Sequence, residues 1–345
     1  AQPSDFAVLT QHAESFKQAE PGLKLEFPRD HGPHPAYRIE WWYLTANLND
    51  TSDRPYGIQW TLFRFAVSPP DADSLPAQGK TDQVYMAHMA ITTPDGHVSF
   101  QRYARGDQNP ALARAGVVAH PFSAWLDDWS LQSAGADWLP LDLKARQDGH
   151  SINLQLKSEE PPVLQGEAGF SQKHPGGGGS FYYSHPFLRA HGDLSVNGER
   201  IPGSGQAWLD REWGSQFLQA DQAGWDWFSR HLESGEKLGL FQLRQQTAAN
   251  PQDNFRYGRL IAQDGQAVTL DPEQIRLTVA SETAVSGRLL PLGWRVDLPQ
   301  IDRHFEVKAL HPRQWMHVDF PYWEGVITVS GDGSGNRGRG YMELT

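Results

Sequence analysis

Apolar and polar residues alternate over short runs along most of this chain. Glu40, Trp42, Leu44, Ala46 and Leu48 share one face of an extended segment, which predicts a strand over 39–48. A return strand over 56–65 follows the loop Asn49-Asp50-Thr51-Ser52-Asp53. Further strands are predicted near 83–92, 97–103, 151–157, 180–184 and 192–197, with Asn197-Gly198 as a hairpin turn. Past residue 200, runs over 225–232 and 237–244 flank Ser234-Gly235, and strands follow at 255–263, 274–280, 293–298, 304–309, 323–330 and 340–344. Only residues 5–20, with Phe6, Val8, Leu9 and Phe16, suggest a helix. The chain's 33 Gly and 24 Pro punctuate the pattern, as an all-β fold requires.

The two clearest hairpins echo each other. Glu40-Trp41-Trp42 in one corresponds to Asp226-Trp227-Phe228 in the other, and the return strands end in Arg64 and Arg244. Ser52 lies midway between Glu40 and Arg64, and Gly235 midway between Asp226 and Arg244. Each hairpin is therefore expected to set an acid opposite an arginine on its inward face. A carboxylate pointing into an apolar interior needs such a partner.

Composition narrows the chemistry. A net charge of −11 argues against nucleic acid as a partner. The absence of cysteine removes disulfides, thiolate metal sites and Cys nucleophiles. No apolar run is long enough, at about 18 residues, to be a transmembrane helix. The opening Ala1-Gln2-Pro3-Ser4 has the small and polar character left by signal-peptide cleavage, so a secreted or periplasmic mature form is expected. Thirteen Trp among 345 residues suit a wide core or an apolar ligand cavity.

Several clusters could carry chemistry. Strand pairing could bring His88 near Arg64 and Glu40, as a polar group in an apolar cavity where the His donates a proton. Asp210 and Glu212 share a face with Trp208, and such paired acids shift each other's pKa. Tyr182, Tyr183 and Ser184 add hydroxyls. His31 and His34, with Glu40 downstream, have a spacing that could ligate zinc, but a capping loop explains it as well, and no metal or other cofactor is expected. There is no G-x-S-x-G, HExxH, Walker or G-x-G-x-x-G motif.

The motif H-x2-H-P-x-Y-R-x-E-W-W-Y at His31–Tyr43 resembles the AttH-like family, which is related to carotenoid 1,2-hydratases (hydroxyneurosporene synthases). Tyr182-Tyr183-Ser184-x-Pro186, Gly205-x2-Trp208-x-Asp210-x-Glu212-Trp213-Gly214, Gly224-Trp225-Asp226-Trp227, Tyr322-Trp323-Glu324-Gly325 and Gly340–Thr345 extend the resemblance over nearly the whole chain. It implies two packed lipocalin-like (calycin-type) antiparallel β-barrel domains, a secreted bacterial protein often labelled a hydrolase, and ABC transporter components as partners. The carotenoid-hydratase branch carries His-Asn where this chain has Arg211-Glu212, so that chemistry does not transfer residue by residue.

The combined expectation is a leader segment (1–30), an N-terminal β domain (31–199) and a C-terminal β-barrel domain (200–345). The first functional reading is a carrier of a lipid, terpenoid or polyene. The alternative is an enzyme on such a substrate, a hydratase, cyclase or hydrolase working by acid–base chemistry. Candidate catalytic residues are Glu40, His88, Asp210, Glu212 and Asp226. Trp42, Trp60, Tyr183, Trp213, Trp225 and Trp227 are the expected ligand wall, with Trp42, Trp60 and His88 on one inner face. Arg64 and Arg244 are the expected ion-pair partners.

Overall fold

The computed structural model describes residues 13–69, 82–247 and 250–345. The helix expected over 5–20 lies mostly outside them; its described end holds one 3₁₀ turn, Ala13–Ser15. The regular structure of the rest is nearly all strand, folded as two large antiparallel sheets.

The first sheet contains β1 (Ile39–Asp50), β2 (Pro55–Ala66), β3 (Gln83–Thr92), β4 (His97–Arg105), β5 (Ala115–Ala119), β6 (Phe122–Leu126) and β7 (Trp129–Ser133). It continues with β8 (Leu141–Gln147), β9 (His150–Lys157), β10 (Val163–Leu164), β11 (Phe170–Gln172), β12 (Gly179–Val196) and β13 (Glu199–Gly214). Its order is β4-β3-β2-β1-β13-β12-β9-β8-β7-β6-β5, with β10 and β11 added beside β12. The sheet curls until β6 packs over β2, β3 and β4. The enclosed core includes Trp42, Leu44, Trp60, Leu62, Trp129 and Leu209.

The second sheet contains β14 (Gln222–Leu232), β15 (Lys237–Gln245), β16 (Phe255–Ile261), β17 (Ala267–Leu270) and β18 (Arg276–Val285). It ends with β19 (Arg288–Leu298), β20 (Arg303–Ala309), β21 (Trp315–Met316), β22 (Tyr322–Gly331) and β23 (Gly338–Leu344). Its order is β17-β16-β15-β14-β23-β22-β20-β19-β18, with β21 beside β22. Phe228, Leu238, Trp294, Phe305 and Trp323 belong to its own core. These are the two lipocalin-like, near-barrel sheets that the sequence led us to expect. The expected division near residue 200 falls inside the β12–β13 hairpin, however. β13 stays in the first sheet between β1 and β12, and the change of sheet comes after Gly214.

The sheets meet through β1, β2, β22 and β23. At Gly57 the approach is so close that a Cβ would collide with Val326 and Tyr341, which explains the glycine. Tyr43, Tyr182, Trp208, Trp227, Phe241 and Tyr341 pack in this third layer. Consequently β1 is buried on both faces: Trp42 and Leu44 point into the first barrel, Trp41 and Tyr43 toward the second sheet.

Candidate active site

A cavity of about 150 Å³ lies between the sheets. The first sheet contributes Ile39, Trp41 and Tyr43 from β1, Phe63 and Phe65 from β2, Met86 and His88 from β3, Tyr182 from β12, and Asp210 and Glu212 from β13. The second contributes Trp225 and Trp227 from β14, Phe241 and Leu243 from β15, Tyr322 from β22 and Glu343 from β23. Lys173, Phe217 and Phe320 complete the lining from loops. Aromatic rings thus form most of the wall, and its charged groups are the carboxyls of Asp210, Glu212 and Glu343 and the Lys173 ammonium.

Register explains who faces the cavity. Asp210 pairs across from Tyr43 and Ser184, and Glu212 from Trp41 and Tyr182. Arg211, between them, points the other way into the first barrel. The Asp210 carboxyl accepts from Tyr182 Oη (2.6 Å), Ser184 Oγ (2.5 Å) and Trp208 Nε1 (2.6 Å). Burial nevertheless pushes its pKa up to about 7, and Glu212 nearby adds to the rise. Glu212 is paired with Lys173 Nζ at 2.6 Å and accepts from Ser180. The Lys173 ammonium also sits over the Phe241 and Tyr182 rings, 4.3 and 5.0 Å from their centroids.

A second acid group enters from the opposite sheet. Glu343 stands directly across from Glu324 in the β22–β23 ladder. Glu343 accepts from Trp225 Nε1 at 2.6 Å, and Glu324 accepts from Tyr43 across the sheet junction. Burial pushes both carboxyls up. Their mutual repulsion raises Glu324 further, and the nearby Asp210 and Glu212 raise Glu343. Two such acids side by side cannot both ionise cheaply, so the pair retains a proton near neutral pH.

His88 lines the cavity but not in the expected way. It stands across from Thr61, so it faces the second sheet, away from Trp42 and Trp60. Its Nδ1 lies 2.8 Å from Tyr322 Oη and its Nε2 3.0 Å from Gln101 Oε1. Gln101 Oε1 also accepts the Asp319 backbone N–H, so His88 Nε2 donates to it and Nδ1 accepts from Tyr322. Burial pushes the imidazole down to about 4, so it is neutral at pH 7 and cannot serve there as an imidazolium donor.

Glu40 lies outside the cavity, in a separate sealed network. It stands opposite Arg64 and accepts from Arg64 Nε (3.0 Å), Arg211 Nη2 (2.8 Å), the His34 backbone N–H (2.8 Å) and His34 Nδ1 (2.6 Å). Burial alone would raise its pKa, but His34, Arg211 and Arg64 together hold it well below the usual carboxylate range. His34 Nε2 reaches Asp30 at 2.9 Å, so the ring bridges two carboxylates; burial opposes its charge, yet Glu40 and Asp30 raise its pKa. With both nitrogens committed, His34 donates rather than ligates. His31 Nδ1 meets Tyr183 Oη at 2.5 Å. Trp213 stacks on His34 at 3.9 Å, and the Arg211 guanidinium lies 4.2 Å over Trp42.

Of the expected ligand wall, then, only Trp225 and Trp227 reach the cavity. Trp42 and Trp60 fill the first barrel, while Tyr183 and Trp213 pack with Tyr37 and Phe181. Asp226 is off the cavity as well. It stands opposite Gln242, not Arg244, because a three-residue turn with Gly235 at φ 89° centres the hairpin on Ser234. Arg244, two residues along, still reaches Asp226 diagonally. Lys173, Glu324 and Glu343 were not singled out as site residues in the sequence. The last two sit in quoted motifs, whereas Lys173 has only a glycine-rich loop around it.

Two curled antiparallel sheets enclosing an aromatic cavity edged by raised-pKa carboxyls define a two-barrel β protein. The chain belongs to the AttH-like family, whose model matches residues 18–345. The crystal structure of an AttH-type protein from Nitrosomonas europaea is 32% identical and superposes with a TM-score of 0.81, covering 96% of this chain and 99% of that one. Kievitone hydratase from Nectria haematococca shares the fold at 16% identity and a TM-score of 0.68, covering 95% and 97% of the two chains. CghA in complex with Sch210972 does so at 14% identity and 0.59, covering 97% of each. Comparison with curated proteins returns no match. Among the described residues no helix is long and apolar enough to cross a membrane.

Proposed function

We propose that this protein is an enzyme acting on an apolar, unsaturated substrate by acid–base catalysis, adding water across a double bond or closing a ring. The carrying observation is that Asp210 and Glu343, from opposite sheets, line one aromatic-walled cavity with their pKa values raised toward neutrality, and Glu324, across from Glu343 in the ladder, is raised as well. A plain carrier has no use for several desolvated acids, whose burial costs stability. The enzyme reading therefore displaces the carrier reading favoured by composition. The resemblance in fold to a protein named as a hydratase supports the same direction.

In the proposed hydration, the protonated Glu343 donates its proton to one alkene carbon, and the π electrons form the new C–H bond. The cationic carbon left behind is stabilised by the ring faces of Trp225, Trp227 and Trp41. Water adds to that carbon and gives its proton to the Asp210 carboxylate. Ring closure uses the same first step, with a second double bond as the nucleophile.

The test is incubation with a panel of polyenes, terpenoids and phenolic alkenes in isotope-labelled water, read by mass spectrometry, with Trp quenching as the binding readout. Label uptake or a change of ring number that is lost in Glu343→Gln, with quenching retained, supports the proposal. Tight quenching by panel members with no conversion of any of them would return the protein to the carrier class.

A further inference from the structure

Arg230 on β14 is the most anomalous side chain outside the cavity. It is fully buried, at 0% exposure, inside the second barrel. Among the described residues, none of its Nε, Nη1 or Nη2 atoms has a hydrogen-bond partner. Its neighbours in the ladder are Leu238 and Gly340, and its guanidinium lies 5.2 and 5.8 Å from the Phe228 and Phe305 ring centroids. The charged residues on the same interior face are engaged elsewhere. Asp226, four positions along β14, is held by Gln242 and Arg244. Arg256, across from Gln242, donates to the carbonyls of Pro251 and Gln252.

A guanidinium with five free donors in an apolar interior is strongly unfavourable, and Arg does not escape by losing its proton. Burial pushes its pKa down to about 9, which leaves it a cation at pH 7. We propose that the interior of the second barrel is a binding site, distinct from the cavity between the sheets, in which Arg230 anchors the carboxylate head of an apolar chain. One fork of N–H donors matches one carboxylate bidentately. One positive charge neutralises one negative charge, whereas a dianionic phosphate would leave a buried charge uncompensated. The surrounding Phe228, Leu232, Leu238, Phe305 and Val329 offer only apolar contact, which suits a hydrocarbon chain.

The probe is decanoate, with acetate and chloride as headgroup-only and simple-anion controls. Native mass spectrometry and calorimetry on the full chain should show decanoate bound, with acetate and chloride far weaker. Arg230→Met should lower decanoate affinity roughly ten- to a hundredfold. Arg230→Lys keeps the charge but loses the fork, and should fall by several-fold. No decanoate bound to the wild type at saturating concentration would overturn the proposal without any variant. So would undiminished affinity in Arg230→Lys and Arg230→Met, which would place the fatty acid in the cavity, or equal binding of chloride and decanoate. Neither result bears on the Glu343 test, since Arg230 does not line the cavity.

Discussion

Replacing Asp210 with Asn tests whether this acid is held in the folded protein at a cost. Its native pKa of about 7 lies above the reference 3.8, a rise of about 3 units, since 7 − 3.8 ≈ 3. The native state therefore binds more protons than the unfolded chain between these values, and stability falls as pH rises through the window. Each unit corresponds to about 1.36 kcal/mol, so ionising buried Asp210 destabilises the native state by about 4 kcal/mol above pH 7, and about 3 kcal/mol of this develops between pH 5 and pH 8. Asn keeps the shape. Its oxygen can still accept from Trp208 and Ser184, while its amide donates to the Tyr182 hydroxyl, which can accept as well as donate. Urea unfolding followed by Trp fluorescence at pH 5, 6, 7 and 8 gives the difference between wild type and Asp210→Asn. That difference should shift by about 3 kcal/mol in favour of the variant as pH rises. Using the difference removes the contribution of Glu343, which has the same sign. A flat difference curve would mean that Asp210 titrates normally and would refute the argument.

Glu40→Gln leaves Arg64, Arg211 and His34 without their shared carboxylate; thermal unfolding should show a loss of roughly 3–5 kcal/mol, and an unchanged melting temperature would show that the network is not sealed. Nitrogen NMR at pH 7 should find His34 protonated on both ring nitrogens, with its stabilising contribution present below the unfolded value and lost as pH rises through its raised folded value; a neutral tautomer would contradict this. Once a substrate is found, its pH–rate profile should be bell-shaped around neutrality. Asp210→Asn should flatten the acid limb and Glu343→Gln the alkaline limb, each with a loss of about 10²–10⁴ in kcat. Trp225→Phe removes the hydrogen bond that favours ionised Glu343, so the alkaline limb should move to higher pH; no movement would argue that Glu343 is not the acid.

Local pattern alone determined the strand-rich architecture, the first hairpin and its Glu40–Arg64 register, because pairing register follows from alternation and loop length. It also placed Asp210 and Glu212 on one face with Trp208. What alternation could not decide is which face of β1 encloses which space. A strand in an ordinary barrel has one apolar and one wet face, but β1 and the second half of β13, residues 207–214, are buried on both sides. The more apolar face, with Trp42 and Trp60, is a filled core, and the mixed face with Trp41, Tyr43 and His88 lines the cavity. Glu40 drew attention as a buried acid, yet its ionisation is secured by cations that come from sequence-distant Arg211 and from the His34 loop. Glu343 reaches the cavity, with Glu324 across from it, only because the last two strands pair with each other and dock against β1 and β2. Which acids share a dielectric, and so which pKa values move, is a property of three-dimensional packing that no run of residues encodes locally.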